Sequence, residues 1–312
     1  MSLFSLIVVF LLEQLHPLDY TRRVARPVRS WTAFLERHID AGGYRQGVIG
    51  AGLALLPLLL LVGGVYFSLY HYVSPLLAFF INVLALYLTM GFRQFSHFYT
   101  DIQLALRLND PERARSLLAE WRGEAVLSSD PGDLARLAIE TALSASHRHV
   151  FAVLLWFVLL PGPLGALLYR LSHLLSEHWR ERGEFGRFAD QLFRVIDWLP
   201  ARATAAAFAV VGNFEDAVYC WRRQSARWYD HGLGIVLASG AGALGVRLGV
   251  PAPENPAWSE EDALADGGNG GNSGMGETAN ADFMQSATGL VWRATVLWLL
   301  MLVVLGLARL AG

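Results

Sequence analysis

Residues 48–91 read VIGAGLALLPLLLLVGGVYFSLYHYVSPLLAFFINVLALYLTMG. Two apolar runs, Val48–Leu69 and Pro75–Gly91, flank the short segment YHYVS. A helix rises about 1.5 Å per residue, so each run is long enough to cross the apolar part of a bilayer. The turn between them carries no formal charge when His71 is neutral. Tyr66, Tyr70 and Tyr72 cluster around it, and amphipathic rings favour the membrane–water boundary. The stretch predicts an outward-pointing membrane hairpin, and with it an all-α, polytopic integral membrane bundle.

Composition agrees. Of 312 residues, 54% are hydrophobic, which exceeds the usual soluble share and falls in runs rather than at amphipathic spacing. The net charge of −2 offers no surface for nucleic acid. All 25 basic residues are Arg, whose planar fork grips carboxylates or phosphates bidentately. Cys220 is the one cysteine, so an internal disulfide and a thiolate zinc cluster are both excluded.

Outward from the hairpin, Arg22, Arg23, Arg26, Arg29, Arg37 and Arg45 precede it, and seven more arginines lie between Phe92 and His149. The positive-inside rule puts both loops, 13–46 and 92–149, on the cytoplasmic side. Upstream, the apolar run Leu3–Leu12 lacks a basic leader region or a cleavage site and reads as a retained, rather short membrane segment. Within 92–149, Asp110-Pro111-Glu112 and the later SSDPGD each carry helix-start chemistry, predicting two amphipathic cytoplasmic helices.

Residues 149–171, HVFAVLLWFVLLPGPLGALLYRL, are apolar but broken by Pro161-Gly162-Pro163. Arginines lie on both sides, so a re-entrant hairpin that keeps both flanks inside is expected. An amphipathic helix over 187–199 would set Phe188, Leu192, Val195, Ile196 and Leu199 against Asp190, Arg194 and Asp197. Residues 251–287 are acidic and contain GGNGGNSGMG, the composition of a flexible linker. A last membrane helix follows, roughly Thr288–Leu310, and Arg293 is expected to interrupt it early. The whole is expected to form a single membrane domain, 1–312.

Three clusters could carry chemistry. GFRQFSHFYTD, 91–101, places Arg93 and His97 on one helical face, for interfacial anchoring or anion binding. SASHRHV, 144–150, holds His147 and His149, but their spacing suits no helical metal chelate, and no metal is expected there. LASGAGALGVRLG, 237–249, offers Gly240, Gly242 and Arg247. It lacks the ending of a P-loop, and close helix packing explains its glycines better than an anion nest. The cations Arg93, His97, His147, His149, Arg170, Arg202 and Arg247 are expected partly to converge on a polar pocket, with Asp197 pairing Arg202 or Arg170.

From about residue 90 onward the chain resembles the CobD/CbiB cobalamin-biosynthesis membrane proteins and their AmpE relatives. The resemblance rests on GPLGALLYR (162–170), EFGRFADQLFRVIDWLPARATA (184–205), SGAGALGVRLG (239–249) and WRATVLWLL (292–300). It implies, for synthase members, joining of aminopropanol phosphate to adenosylcobyric acid with ATP and Mg²⁺, giving adenosylcobinamide phosphate. Their acidic motifs are only partly kept. ETALSASHRH retains Glu140, Ser176 stands where an Asp falls, and Leu192-Phe193-Arg194 replaces L-D-D. Loss of carboxylates should remove a Mg²⁺–nucleotide site. The resemblance then favours the AmpE-like branch, a non-catalytic sensor in the β-lactamase induction system, with a divergent synthase or a membrane scaffold as alternatives. Expected partners are the bilayer, an anionic or corrinoid small molecule and a protein partner. No cofactor is expected outside the synthase alternative, which would use Mg²⁺ and ATP.

Overall fold

The computed structural model describes residues 2–15, 24–40, 42–228, 230–249 and 276–311. Arg22, Arg23 and residues 251–275 of the expected linker lie outside them. The described residues are helical throughout, apart from turns and one isolated β-bridge. Three helices are long and apolar enough to cross a membrane, Tyr44–Val73, Pro131–Leu159 and Ala281–Val304, and they mark a multi-pass membrane protein. The chain forms two compact units, Met1–Gln94 with Arg148–Pro200 and Leu305–Gly312, and Phe95–His147 with Ala201–Val304.

In the first unit α1 (Ser2–Leu15) packs on α4 (Pro75–Thr89), and α2 (Arg26–Ile39) packs on α3 (Tyr44–Ser68) and α9 (Leu164–Trp179). A π-helical turn, Leu69–Val73, joins α3 to α4, where Ser74 caps the new helix by accepting from the Leu76 amide at 3.2 Å. Helix α3 buries Gly50, Ala51 and Ala54 and exposes Leu56, Leu60 and Leu61. Small residues inward and large apolar ones outward is the pattern of a helix bathed in lipid. Its inner face meets Leu171, Leu175, Trp179 and Phe185 in one hydrophobic cluster.

The Pro-Gly-Pro break is real: α8 (Ala152–Leu159) stops before it, and α9 starts after it. Gly162 turns with φ +65°, a conformation that a side chain strains and for which there is no room, since a Cβ would strike the Tyr66 ring. At Gly165 a Cβ would collide with the Trp156 carbonyl, so α8 and α9 approach backbone to backbone. Helix α9 runs antiparallel to α3. Leu164 lies 3.1 Å from a Cβ built on Gly63, and Trp179 lies 3.2 Å from one on Gly50. The turn therefore stands beside Tyr66, close to the Ser68 end of α3 and not halfway along it.

Helix α10 corrects the sequence reading twice. It runs unbroken from Glu184 to Val211, through Pro200, where the expected amphipathic helix ended at 199. Proline cannot donate to the carbonyl four residues back, that of Ile196. The Trp156 indole donates there instead, at 3.1 Å, so the helix continues without an orphaned acceptor. The faces also differ. Asp197, expected on the polar side, is 3% exposed, whereas Val195 is 74% exposed beside exposed Trp198 and Leu199. In a membrane protein the exposed face can be the apolar one, and soluble-helix logic reverses.

In the second unit α5 (Phe92–Arg107) docks on α13 (Ala281–Ala311), with the Tyr99 hydroxyl donating to the Met284 carbonyl at 2.7 Å. Burial pushes that hydroxyl above its ordinary range. Helices α6 (Pro111–Arg122) and α7 (Pro131–Ser146) start as their sequences predict, Asp110 capping the Arg113 amide and Asp130 the Asp133 amide, each at 3.0 Å. Helices α11 (Phe214–Gln224) and α12 (His231–Leu244) form the closest pair. Helix α13 begins seven residues earlier than Thr288, so residues 281–287 of the expected linker are helical, and Arg293 does not interrupt it.

Two outcomes test this description. Trp156→Phe leaves the Ile196 carbonyl unsatisfied and is expected to destabilise the protein by about 1–3 kcal/mol, read as a lower unfolding midpoint in detergent. An unchanged midpoint would contradict the indole's role. In a Cys220→Ser background, a cysteine replacing Pro161 should react with an impermeant maleimide from the same side as one replacing Tyr72. Labelling only at 72 would place the turn within the bilayer.

Candidate functional site

Each unit holds one buried polar constellation built from the sequence candidates. In the first unit, a π-helical turn, His147–Phe151, leads into α8 and sets His149 against Gly91 at the end of α4, 3.0 Å from where a Cβ would sit. The Arg170 guanidinium, on α9 and 3% exposed, lies 3.0 Å from His149 Nδ1. A guanidinium only donates, so a ring nitrogen of His149 accepts here, with Nδ1 at 3.0 Å and Nε2 at 3.4 Å from the same Arg170 nitrogen, a contact that a neutral imidazole makes. One residue earlier, the Tyr169 hydroxyl donates to Asp197 Oδ1 at 2.8 Å. Tyr169 and His173 both pack their rings on Phe193, at 5.7 and 5.0 Å between centroids. Asp197, for which an arginine partner is expected, takes a hydrogen bond from this phenol.

In the second unit Glu140 is the centre. Its Oε1 accepts from the Gly249 amide at 2.9 Å and from Arg136 Nη1 at 3.1 Å. The same Arg136 nitrogen donates to the Gly249 carbonyl at 3.0 Å, while Nη2 reaches Asp133 at 3.2 Å. A carboxylate and a guanidinium on one turn of α7 thus hold both main-chain polar groups of Gly249, its N–H and its C=O, fixing the end of the GVRLG segment. The segment's other end is also held. The Arg247 amide donates to the Glu277 carbonyl and the Glu277 amide to the Gly245 carbonyl, each at 2.9 Å.

The remaining candidates fall as follows. His147 Nδ1 lies 2.9 Å from the Thr204 hydroxyl, both buried in the second unit. Gly240 and Gly242 lie inside α12, where Cβ atoms would meet Leu143 and the Asp216 backbone, so both serve close helix packing. His97 is exposed on α5. Arg93 is placed in α5 by its backbone, and its side chain lies outside the described residues. Arg170 belongs to the first unit, Arg202 and Arg247 to the second. Arg136 and Tyr169 are not among the sequence candidates. The i, i+4 spacing of Arg136 and Glu140 could have revealed the first, whereas no local pattern marks the second.

The synthase pattern implies Mg²⁺ carried by carboxylates, and the residues present do not fit it. Ser176 and Phe193 are buried, and Arg194 pairs with Asp190 on the exposed side of α10. Glu140 already satisfies an amide and a guanidinium. Among the described residues no three His, Cys, Asp or Glu side chains gather as a metal site.

If Glu140 acts as an acceptor that pins Gly249, Glu140→Gln should keep the contact and cost about 1 kcal/mol. Glu140→Ala should cost about 3 kcal/mol, because it removes a buried partner of Arg136. Unfolding midpoints and amide exchange over 246–249 report both. Equal loss in the two variants would point to a need for the negative charge itself.

A family model described as CobD/Cbib protein matches residues 6–271. A cobalamin biosynthesis protein CobD of Chromobacterium violaceum is 34% identical over 228 residues, 72% of this chain and 70% of the relative. Another of that name, from Stutzerimonas stutzeri, is 33% identical over 276 residues, 86% of each chain. A third, from Desulfotalea psychrophila, is 26% identical over 259 residues, 76% of this chain and 77% of its own. No solved structure matches. These relatives carry a cobalamin-biosynthesis name and not that of the AmpE branch, so the preference for AmpE drawn from the missing carboxylates is not the one they favour. The matched region spans most of the sequence, and the chain belongs to the CobD/CbiB family.

Proposed function

We propose that this chain serves cobalamin biosynthesis in a bacterial inner membrane, at the amide-forming step that joins aminopropanol phosphate to a corrinoid carboxyl. The observation that carries this reading is the similarity to relatives named cobalamin biosynthesis protein CobD over as much as 86% of both chains. Joining an amine to a carboxyl would require the displaced carboxyl oxygen to leave as phosphate, and ATP as co-substrate would supply that phosphoryl group. The chain's own contribution is positional. Glu140 and Arg136 hold the GVRLG segment, and Arg170 with His149 sets a cation and a neutral imidazole side by side in the first unit. A guanidinium suits a phosphate or carboxylate group of either substrate.

A second reading keeps a specific observation in view. Where the synthase pattern has carboxylates, this chain has Ser176, Phe193 and Arg194, the first two buried. These features favour a member that binds an anionic or corrinoid ligand without performing the condensation.

Complementation separates the two. Expressed in a strain lacking cobinamide-phosphate synthase, the chain should restore growth that depends on cobalamin made from cobyric acid. Membrane-inserted protein that restores none would reject the synthase role and leave the non-catalytic one.

A further inference from the structure

Helix α2 presents two unlike faces. Val28, Leu35 and Ile39 pack into the cluster shared with α3 and α9, and Thr32 is buried beside them. On the other side Trp31 is 45% exposed and Phe34 50%, their rings stacked at 5.8 Å, with His38 tilted against Phe34 at 4.3 Å. Positions 31, 34 and 38 follow helical spacing, so these rings form a single outward stripe. Arg26 and Arg37 are exposed at its two ends. Arg29 meets Glu177 in a loose, half-exposed pair at 3.7 Å. The one acid of the helix, Glu36, faces the protein, where Arg182 reaches it at 2.7 Å. The outward side is thus aromatic and cationic: the helix's own acid is turned inward, and the nearby exposed carboxylates are Asp40 at the C-terminal cap, which accepts from the Gly42 amide, and Glu177 beside Arg29.

The position of the helix says what covers that side. Only residues 40–43 separate α2 from Tyr44, where the first long apolar helix begins. A short amphipathic helix joined this closely to a spanning segment lies at the boundary of the bilayer. Tryptophan is at home there, and exposed arginines beside it meet lipid phosphates. A two-fold contact with a second copy through the same stripe would set arginines near arginines, an arrangement that like charges oppose.

We propose that α2 is an interfacial helix that binds anionic lipid, with Trp31 and Phe34 among the upper acyl chains and Arg26 and Arg37 on the headgroup phosphates. The inference is independent of the cobalamin reading, because it concerns the surface of the first unit and not a reaction.

The test uses the full chain in nanodiscs of phosphatidylcholine alone or mixed with phosphatidylglycerol. Phosphatidylglycerol should raise the Tm of the wild type, and Arg26→Gln with Arg37→Gln should remove most of that rise while leaving the Tm in pure phosphatidylcholine unchanged. Inorganic phosphate added to phosphatidylcholine discs should not reproduce the rise. In discs containing phosphatidylcholine brominated high on its chains, the wild type should lose more tryptophan emission than Trp31→Phe. Equal quenching in the two proteins, an undiminished rise in the double variant, or a rise produced by free phosphate would overturn the proposal. So would a photo-reactive residue at position 34 that captures a second copy of the chain in place of lipid.

Discussion

The first unit depends on satisfying backbone groups where water is scarce. A helix through Pro200 has one carbonyl with no donor in its own ladder, and in an apolar surrounding such an orphan costs several kcal/mol. The indole of Trp156 meets that need at Ile196. It can do so because α8 and α9 touch backbone to backbone at Gly165 and so hold Trp156 in place. The same hairpin carries Tyr169 and Arg170 to their partners on α10 and at His149. The helix break, the close approach, the proline and the buried polar pairs are therefore one arrangement.

Buried charge is handled with similar economy. Arg170 faces a neutral ring nitrogen, and Asp197 accepts from a phenol. In the second unit Glu140 shares its oxygen between a guanidinium and a main-chain amide. A carboxylate used this way organises backbone, as a helix-capping carboxylate does, and its negative charge is met by Arg136. That changes how the retained acid of the family pattern is understood. Its presence is explained by the segment it secures, with or without chemistry at the carboxylate.

Much of the fold was legible in the sequence because its signals are local. Residues 48–91 announce two apolar helices joined at a turn, although the second, Pro75–Thr89, has 15 residues and is shorter than the crossing expected of it; Asp110 and Asp130 announce helix starts by capping, and Pro161-Gly162-Pro163 announces a break. What escaped depends on partners far away in the chain. Pro200 reads as a helix end until Trp156 is seen to supply the missing donor. Val195 reads as core and Asp197 as surface until Tyr169 and the lipid-like exterior exchange their places. At the candidate site Glu140, Arg170 and His149 could be named, but their contacts with Gly249 and with each other join residues 21 to 109 positions apart. The family resemblance names the right group of proteins, while the lost carboxylates taken alone point to the AmpE branch, which the named relatives do not favour.

The pinned glycine segment has a further consequence for how this chain can vary. Gly249 is held by α7, and Glu277 is bridged back to Gly245 and Arg247, so the chain departs and returns at one fixed base. Substitutions at the two feet are therefore coupled: one that frees Gly249 from α7 also loosens the pairing of Gly245 and Arg247 with Glu277, within four residues along the same segment.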